Sequence, residues 1–303
     1  MNRSSLTSDS ASSLPESGIL LLDKPSGITS TAALGRAKRV LGIRKAGHTG
    51  ALDPMATGLL PLCFGQATKI SAFLLDADKR YRAEIALGAE TDTGDAEGTV
   101  TDSRPIGDYT PEQIESVLAS FRGPINQVPP MYSALKHRGK RLHELARAGI
   151  EVERKPRSVV IHSLQLLGRH PDRLRVSVDC SKGTYIRSLA VDIGRSLGCG
   201  AHLTALRREG SGPFSLSQAV ALPALEEMDR SEARGLLLPP DAALPHWPRM
   251  EVGPEAAQDV RHGRGVPTDR PPEPQVRIYA GARFLGLGRI DSGGSLRVRR
   301  LFV

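Results

Sequence analysis

Residues 43–69, IRKAGHTGALDPMATGLLPLCFGQATK, constrain this chain more than any other stretch. Arg44 and Lys45 open it, Gly47, His48, Thr49 and Gly50 follow, and its only acid, Asp53, stands between Leu52 and Pro54. Glycine reaches backbone conformations closed to other residues, and proline fixes its own φ and restricts the residue before it. The carboxylate is therefore carried on a shaped loop, a geometry that suits a group presented to a substrate. Aspartate is also a common turn residue. Residue chemistry alone leaves Asp53 open between these two roles. The apolar run Leu59-Leu60-Pro61-Leu62-Cys63-Phe64 then reads as a buried strand closed by Gly65.

The flanks supply ordinary elements. Ile19 to Leu22 form a short strand that runs into the turn Asp23-Lys24-Pro25-Ser26-Gly27. Thr29 or Ser30 can cap a helix with apolar positions Ala33, Leu34, Ala37, Val40 and Leu41, ended by Gly42. A short helix from about Ala67 to Leu75 leads to a strand near Arg80 to Leu87, in which Tyr81, Ala83, Ile85 and Leu87 share a face. Thr110-Pro111-Glu112-Gln113 has the cap, first-turn proline and capping-box glutamine of a helix start. Asp92, Asp95 and Glu97 fall in a D-x-x-D-x-E spacing that lacks the ligand positions of a calcium loop.

Val159 to Leu167 and Leu174 to Cys180 are further strands, followed by a helix with the stripe Ile186, Leu189, Ala190, Ile193 and Leu197. Arg187 lies beside that stripe in the first turn, where the helix dipole gives a cation nothing. An acid partner elsewhere in the fold would explain its placement, and Asp53 is the candidate.

Charge points to a partner. Lys plus Arg exceeds Asp plus Glu by 41 − 33 = +8, and a basic excess favours a polyanion, nucleic acid first. Aromatic residues are only 4%, so a stacking platform for single strands would be sparse. The segment QVPPMYSALKHRGKRLHELARAG gathers Lys136, His137, Arg138, Lys140, Arg141, His143 and Arg147, a natural phosphate grip, with Leu142 and Leu145 able to pin a short helix. From about Leu216 to Met250 short helical pieces alternate with prolines around the only tryptophan, Trp247, and read as a link to a separate C-terminal unit. In that unit Val276 to Tyr279 and Arg283 to Ile290 read as a hairpin, and the β-rich, basic whole suits a nucleic-acid-binding accessory.

Cys63, Cys180 and Cys199 are odd in number, without CxxC or Cys/His spacing, so neither a zinc site nor a disulfide framework is expected. No apolar run approaches a membrane span, and the Ser-rich first 17 residues lack the apolar region of a secretory signal. A cytoplasmic protein with a disordered tail over 1–17 is the expectation.

Four segments in register give the chain a family resemblance. LLDKPSGITS at 21–30, the central GHTGALDPMATGLLPLCFGQATK, KRYRAEIALGAETDTGDAEG at 79–98 and CSKGTYIRSLAVDIG at 180–194 resemble the bacterial tRNA pseudouridine synthase B (TruB-type) family. The basic insert fits in the same order, and the resemblance extends over about 18–215, more loosely beyond. It implies an α+β fold, a largely antiparallel mixed sheet flanked by helices, as a catalytic domain over 18–250 with the RNA-gripping insert at about 124–156. A small PUA-like RNA-binding domain over 251–303 would follow. It also implies isomerisation of the T-loop uridine of tRNA, position 55, to pseudouridine, by a monomer, with no metal and no organic cofactor.

Carried over by position, Asp53 would be the catalytic aspartate, Tyr81 the active-site tyrosine and Arg187 the arginine of Y-I-R. His48 would help hold the disrupted T-loop, and Asp95 would lie near the uridine pocket. Lys24, Thr49, Lys69, Tyr185, Lys136, Arg138 and Arg141 would be further RNA contacts. His143 departs from the tyrosine that relatives often carry in the insert. Two other readings remain at this point. A non-catalytic RNA-binding or RNA-folding protein would use the same basic surfaces, whereas a phosphate-binding nucleotide enzyme would want a GK[ST] that the central loop lacks.

Overall fold

Alternating and continuous apolar strands assemble into one ten-stranded sheet in a computed structural model that describes residues 15–302. Its main path runs Val220–Ala221, Gly18–Lys24, Thr57–Phe64, Ala201–Ser211, Lys79–Leu87, Arg173–Cys180, Arg157–His170 and Gly123–Gln127. Ala46–His48 pairs with Thr57–Phe64, and Phe214–Ser215 with Ala201–Ser211. Two pairings are parallel, Gly18–Lys24 with Val220–Ala221 and Thr57–Phe64 with Ala201–Ser211. The other neighbours along the path are antiparallel, giving the largely antiparallel mixed sheet that the resemblance implies.

Burial explains the sequence patterns. In Lys79–Leu87 the alternate residues Tyr81, Ala83, Ile85 and Leu87 face a core shared with the helices Pro111–Ser120 and Ile186–Leu197. The continuous runs ILLL and LLPLCF belong to strands covered on both faces, as such runs require. Leu20, Leu22, Leu60 and Leu62 pack under the helices Ser30–Leu41, Leu222–Glu227 and Arg230–Gly235. Ile19, Leu21, Leu59 and Cys63 pack on the other side against Ile70, Leu74 and Trp247. The caps form as the sequence indicates. Thr29 Oγ1 accepts the Ala32 N–H at 3.1 Å, Gly42 turns at φ +68°, and Thr110 and Gln113 bond reciprocally.

Several expectations need correction. The helix expected over Ala67–Leu75 is a 3-10 turn, Gly65–Ile70, continued as an α-helix, Ser71–Asp76. The segment from 216 to 250 is no tether. Val220–Ala221 closes the edge of the main sheet, and Leu222 and Leu225 are buried. Trp247 meets Phe73 edge-on at 5.1 Å. Up to residue 14 the expected tail lies outside the described residues, but order begins before Gly18, because Ser17 Oγ accepts the Gln66 N–H at 2.9 Å.

In the basic insert, Met131, Leu142 and Leu145 bury one another and pin the helix Leu142–Arg147 beneath the short hairpin Lys136–His137/Lys140–Arg141. The C-terminal unit is a five-stranded sheet, Arg249–Glu251, Glu273–Ala280, Arg283–Ile290, Ser295–Leu301 and Val266–Pro267, packed on the helix Pro254–Arg261. It begins two residues before the expected boundary, since Arg249 pairs with Arg277. Lys69 Nζ donates to Leu301 O at 2.6 Å, and Arg300 donates to Lys69 O, so the final strand is fastened to the 3-10 turn. Among the described residues no helix is long and apolar enough to cross a membrane.

Candidate active site

Asp53 owes its position to three fastenings of its loop. Thr49 donates through its N–H and its Oγ1 to Pro61 O, at 3.2 and 3.3 Å. Ser30, in the first turn of its helix, accepts the Leu52 N–H at 2.8 Å and donates to Leu52 O at 3.1 Å. Beyond Asp53, Pro54 O accepts from Gly27 N at 2.9 Å and from Lys24 Nζ at 3.2 Å. The loop between glycine and proline is therefore held at both ends, leaving the carboxylate at its apex.

Arg187 meets that carboxylate from the helix Ile186–Leu197. Its Nε lies 2.9 Å from Asp53 Oδ2, and Nη2 donates to Asp53 Oδ1 at 3.3 Å. This is the acid partner that the sequence calls for. The rest of the guanidinium is also engaged: Nη1 donates to Thr93 O at 2.9 Å and Nη2 to Tyr132 O at 2.7 Å. Asp95 Oδ2 is 3.5 Å from Arg187 Nε, while Asp95 Oδ1 accepts from Thr93 Oγ1 at 2.6 Å and from Glu97 N at 3.1 Å.

The two acids differ in access. The Asp53 side chain is 39% exposed and that of Asp95 only 5%. Asp95 meets the arginine from the buried side, whereas Asp53 is partly open to solvent. Burial pushes the Asp53 carboxyl above its usual range, the Arg187 charge opposes this, and Asp95 adds to the upward push.

Tyr81 reaches the same region from the strand beside it, opposite Val178 on one side and Arg208 on the other. Burial raises its phenol, and Arg208 counteracts that in part. His48 is half-buried with Nδ1 unpartnered; burial and the Arg208 charge lower its imidazole, which is neutral near pH 7. Tyr185, just before the helix, is fixed by Gln127, whose Oε1 accepts its N–H at 3.0 Å, and burial raises its phenol.

The remaining residues separate into two kinds. Lys136, Arg138 and Arg141 are exposed on the insert, and among the described residues none of them is in an ion pair. The insert reaches Arg187 through backbone, at Tyr132 O; His143 Nδ1 sits 3.0 Å from Ser133 O. Lys24, Thr49 and Lys69 are corrections. Lys24 is fully buried and donates to Pro25 O, Ile28 O and Pro54 O, so it shapes the loop from within; burial lowers its ammonium to about 8. Thr49 is fully buried as well, and Lys69 is spent on the C-terminal seam.

One residue escapes the sequence reading. Arg208, 1% exposed, donates through Nε to Leu59 O at 2.7 Å and through Nη2 to Gly50 O at 3.0 Å. Its one signal is an arginine at an inward position, in phase with Leu206, of the strand Ala201–Ser211.

Comparisons with known proteins show the family. Residues 38–186 match the TruB family pseudouridylate synthase (N terminal domain), 187–245 the tRNA pseudouridylate synthase B C-terminal domain, and 248–302 the Pseudouridine synthase II TruB, C-terminal. A tRNA pseudouridine synthase B from Aromatoleum aromaticum is 56% identical over 94% of this chain and 92% of its own. Another from Azoarcus sp. is 54% identical over 94% of both. A solved Cbf5-Nop10-Gar1 complex superposes with TM-score 0.72 at 28% identity, covering 95% of this chain and 85% of that one. A solved H/ACA RNP bound to a substrate RNA containing 2'-deoxyuridine gives 0.71 at 26% identity, covering 94% and 85%.

Fold and site together define a pseudouridine synthase, an isomerase. Within that class, the chain belongs to the TruB family of tRNA pseudouridine synthases.

Proposed function

We propose that this enzyme isomerises the T-loop uridine of tRNA, position 55, with Asp53 as its catalytic carboxylate. The observation that carries the reading is the Asp53–Arg187 pair, one partly exposed acid oriented through both of its oxygens. The uridine first leaves its stack, at a cost of a few kcal/mol. The bond between the ribose and N1 of the base then breaks, the uracil turns, and C5 takes the place of N1 on the sugar while the C5 proton passes to solvent and N1 takes one up. Atoms are otherwise conserved, so the reaction calls for neither an oxidant nor an energy source.

Asp53 acts on the ribose, by adding to the anomeric carbon as in retaining glycosidases or by removing a sugar proton. Both routes use the ionised carboxylate that Arg187 favours. Tyr81 packs against the flipped base, and His48 and Tyr185 border the opening. Lys136, Arg138 and Arg141 grip phosphates of the T-arm, and the PUA-like C-terminal sheet adds RNA contacts.

The test uses full-length unmodified tRNA carrying tritium at C5 of uridine. Release of one tritium per tRNA by the parent, falling at least about a thousandfold in Asp53→Asn with binding kept, supports the reading. Tight binding without release by the parent would instead favour a non-catalytic RNA-binding protein.

A further inference from the structure

The chemistry above makes no use of Arg208. Arg208 is 1% exposed, and among the described residues no carboxylate forms an ion pair with it. An unpaired buried cation is costly, so a core arginine in this position calls for a reason. Its surroundings supply one.

Arg208 lies in the central strand of the sheet, opposite Tyr81 on the antiparallel side and opposite Gly58 on the parallel side. Directly opposed residues share a face, so the guanidinium and the phenol emerge together. On the other side no side chain is tolerated. A Cβ at Gly58 would lie 2.3 Å from Arg208 O and 2.7 Å from Arg208 N, at a φ of +101°. The bare glycine lets the two backbones approach this closely, and from there the guanidinium donates to Leu59 O and to Gly50 O. Gly50 begins the G-A-L-D run that ends in Asp53.

We propose that Arg208 is a positioning residue for the isomerisation, fixing the Gly50 carbonyl and thereby the Asp53 loop against the strand that carries Tyr81. This rests on the reading of Asp53 and Tyr81 given above. The fork geometry matters, because two carbonyls on different segments are met by two nitrogens of one planar group. The same charge also draws the Tyr81 phenol and the His48 imidazole downward.

The experiment compares Arg208→Lys and Arg208→Met with the parent and with Asp53→Asn. It reads single-turnover tritium release at saturating tRNA, tRNA affinity by filter binding, and the urea unfolding midpoint. Lysine keeps the charge but reaches only one of the two carbonyls. We expect folded Arg208→Lys to bind tRNA within about threefold of the parent while its single-turnover rate falls at least about a hundredfold. A rate within about threefold of the parent overturns the proposal, as do rate and binding that fall together. Failure of both variants to fold assigns Arg208 to the core and overturns it as well. An active Asp53→Asn would instead sink the reading of Asp53, a separate result from the same assay.

Discussion

Arg187 and Asp53 lie 134 positions apart in the chain and meet through two nitrogens, Nε at 2.9 Å and Nη2 at 3.3 Å. The pairing sets the acid side of the pH profile. Asp53 has a carboxyl raised by burial, so its ionised form is present above that raised pKa and is lost as pH falls through it. Arg187→Met removes both of the influences with which the arginine lowers that pKa. The acid limb of the single-turnover rate then moves to higher pH, and the rate on its plateau falls at least about a hundredfold. Arg187→Lys is expected to restore little, because an ammonium cannot make the bidentate contact. An acid limb unmoved in Arg187→Met would separate the arginine from the titration of Asp53.

Lys24 gives a stability signature of definite sign. Its ammonium titrates at about 8 in the folded chain against 10.5 as a free side chain, with burial the first cause. Below about 8 both folded and unfolded states carry the proton, and the cost of the buried charge is present in full. Between 8 and 10.5 the unfolded state binds more protons, so the unfolding free energy of the parent rises with pH. Lys24→Met loses that rise. It also takes the lysine donor from three carbonyls, of which Pro54 O keeps the Gly27 N–H, and is expected to be about 1–3 kcal/mol less stable near neutrality. Urea unfolding across the alkaline range reads both effects, and parallel pH curves for the two proteins would refute the first.

Two glycines in the central stretch should respond oppositely to alanine. Gly58→Ala places a methyl 2.3 Å from Arg208 O at a φ of +101° and should cost at least about 2 kcal/mol. Gly47 has open space around its Cβ position and no positive φ, so Gly47→Ala should shift stability by less than about 0.5 kcal/mol. Unfolding midpoints of the two variants decide it, and equal losses would contradict the close approach of the two strands.

The exposed cations of the insert should show themselves in salt. Replacing Lys136, Arg138 and Arg141 together by alanine should flatten the slope of log affinity against log salt by about 2–3, close to one unit for each phosphate no longer neutralised. The deficit in affinity should accordingly shrink as salt is raised. An unchanged slope would place the tRNA backbone elsewhere.

What the sequence disclosed was what is local. The Thr29 and Thr110 caps, the alternation in Lys79–Leu87 and the stripe of Ile186–Leu197 each depend on neighbours a few residues away, and each forms as read. The misplaced Arg187 was legible too, because a cation in a first helical turn contradicts the dipole and so announces a distant acid. Lys24 was misread. A lysine beside Pro-Ser-Gly looks like a surface turn, and only the return of Pro54 onto the same turn buries it. No element was expected over Ala201–Ser211, where Thr204, Arg207, Arg208 and Glu209 break the apolar alternation. With that strand unread, Arg208 could not be seen.

That strand also sets a timetable. Thr57–Phe64 and Lys79–Leu87 are close in sequence, yet neither pairs with the other, because Ala201–Ser211 lies between them. On a ribosome adding about 5–20 residues per second, the partner that joins them emerges on the order of ten seconds after both. Through that interval two apolar strands expose unpaired edges of the kind that invite aggregation or a chaperone. The floor beneath Asp53 and Tyr81 is thus completed by a late arrival, and nascent chains stalled before residue 201 should be the ones that need protection.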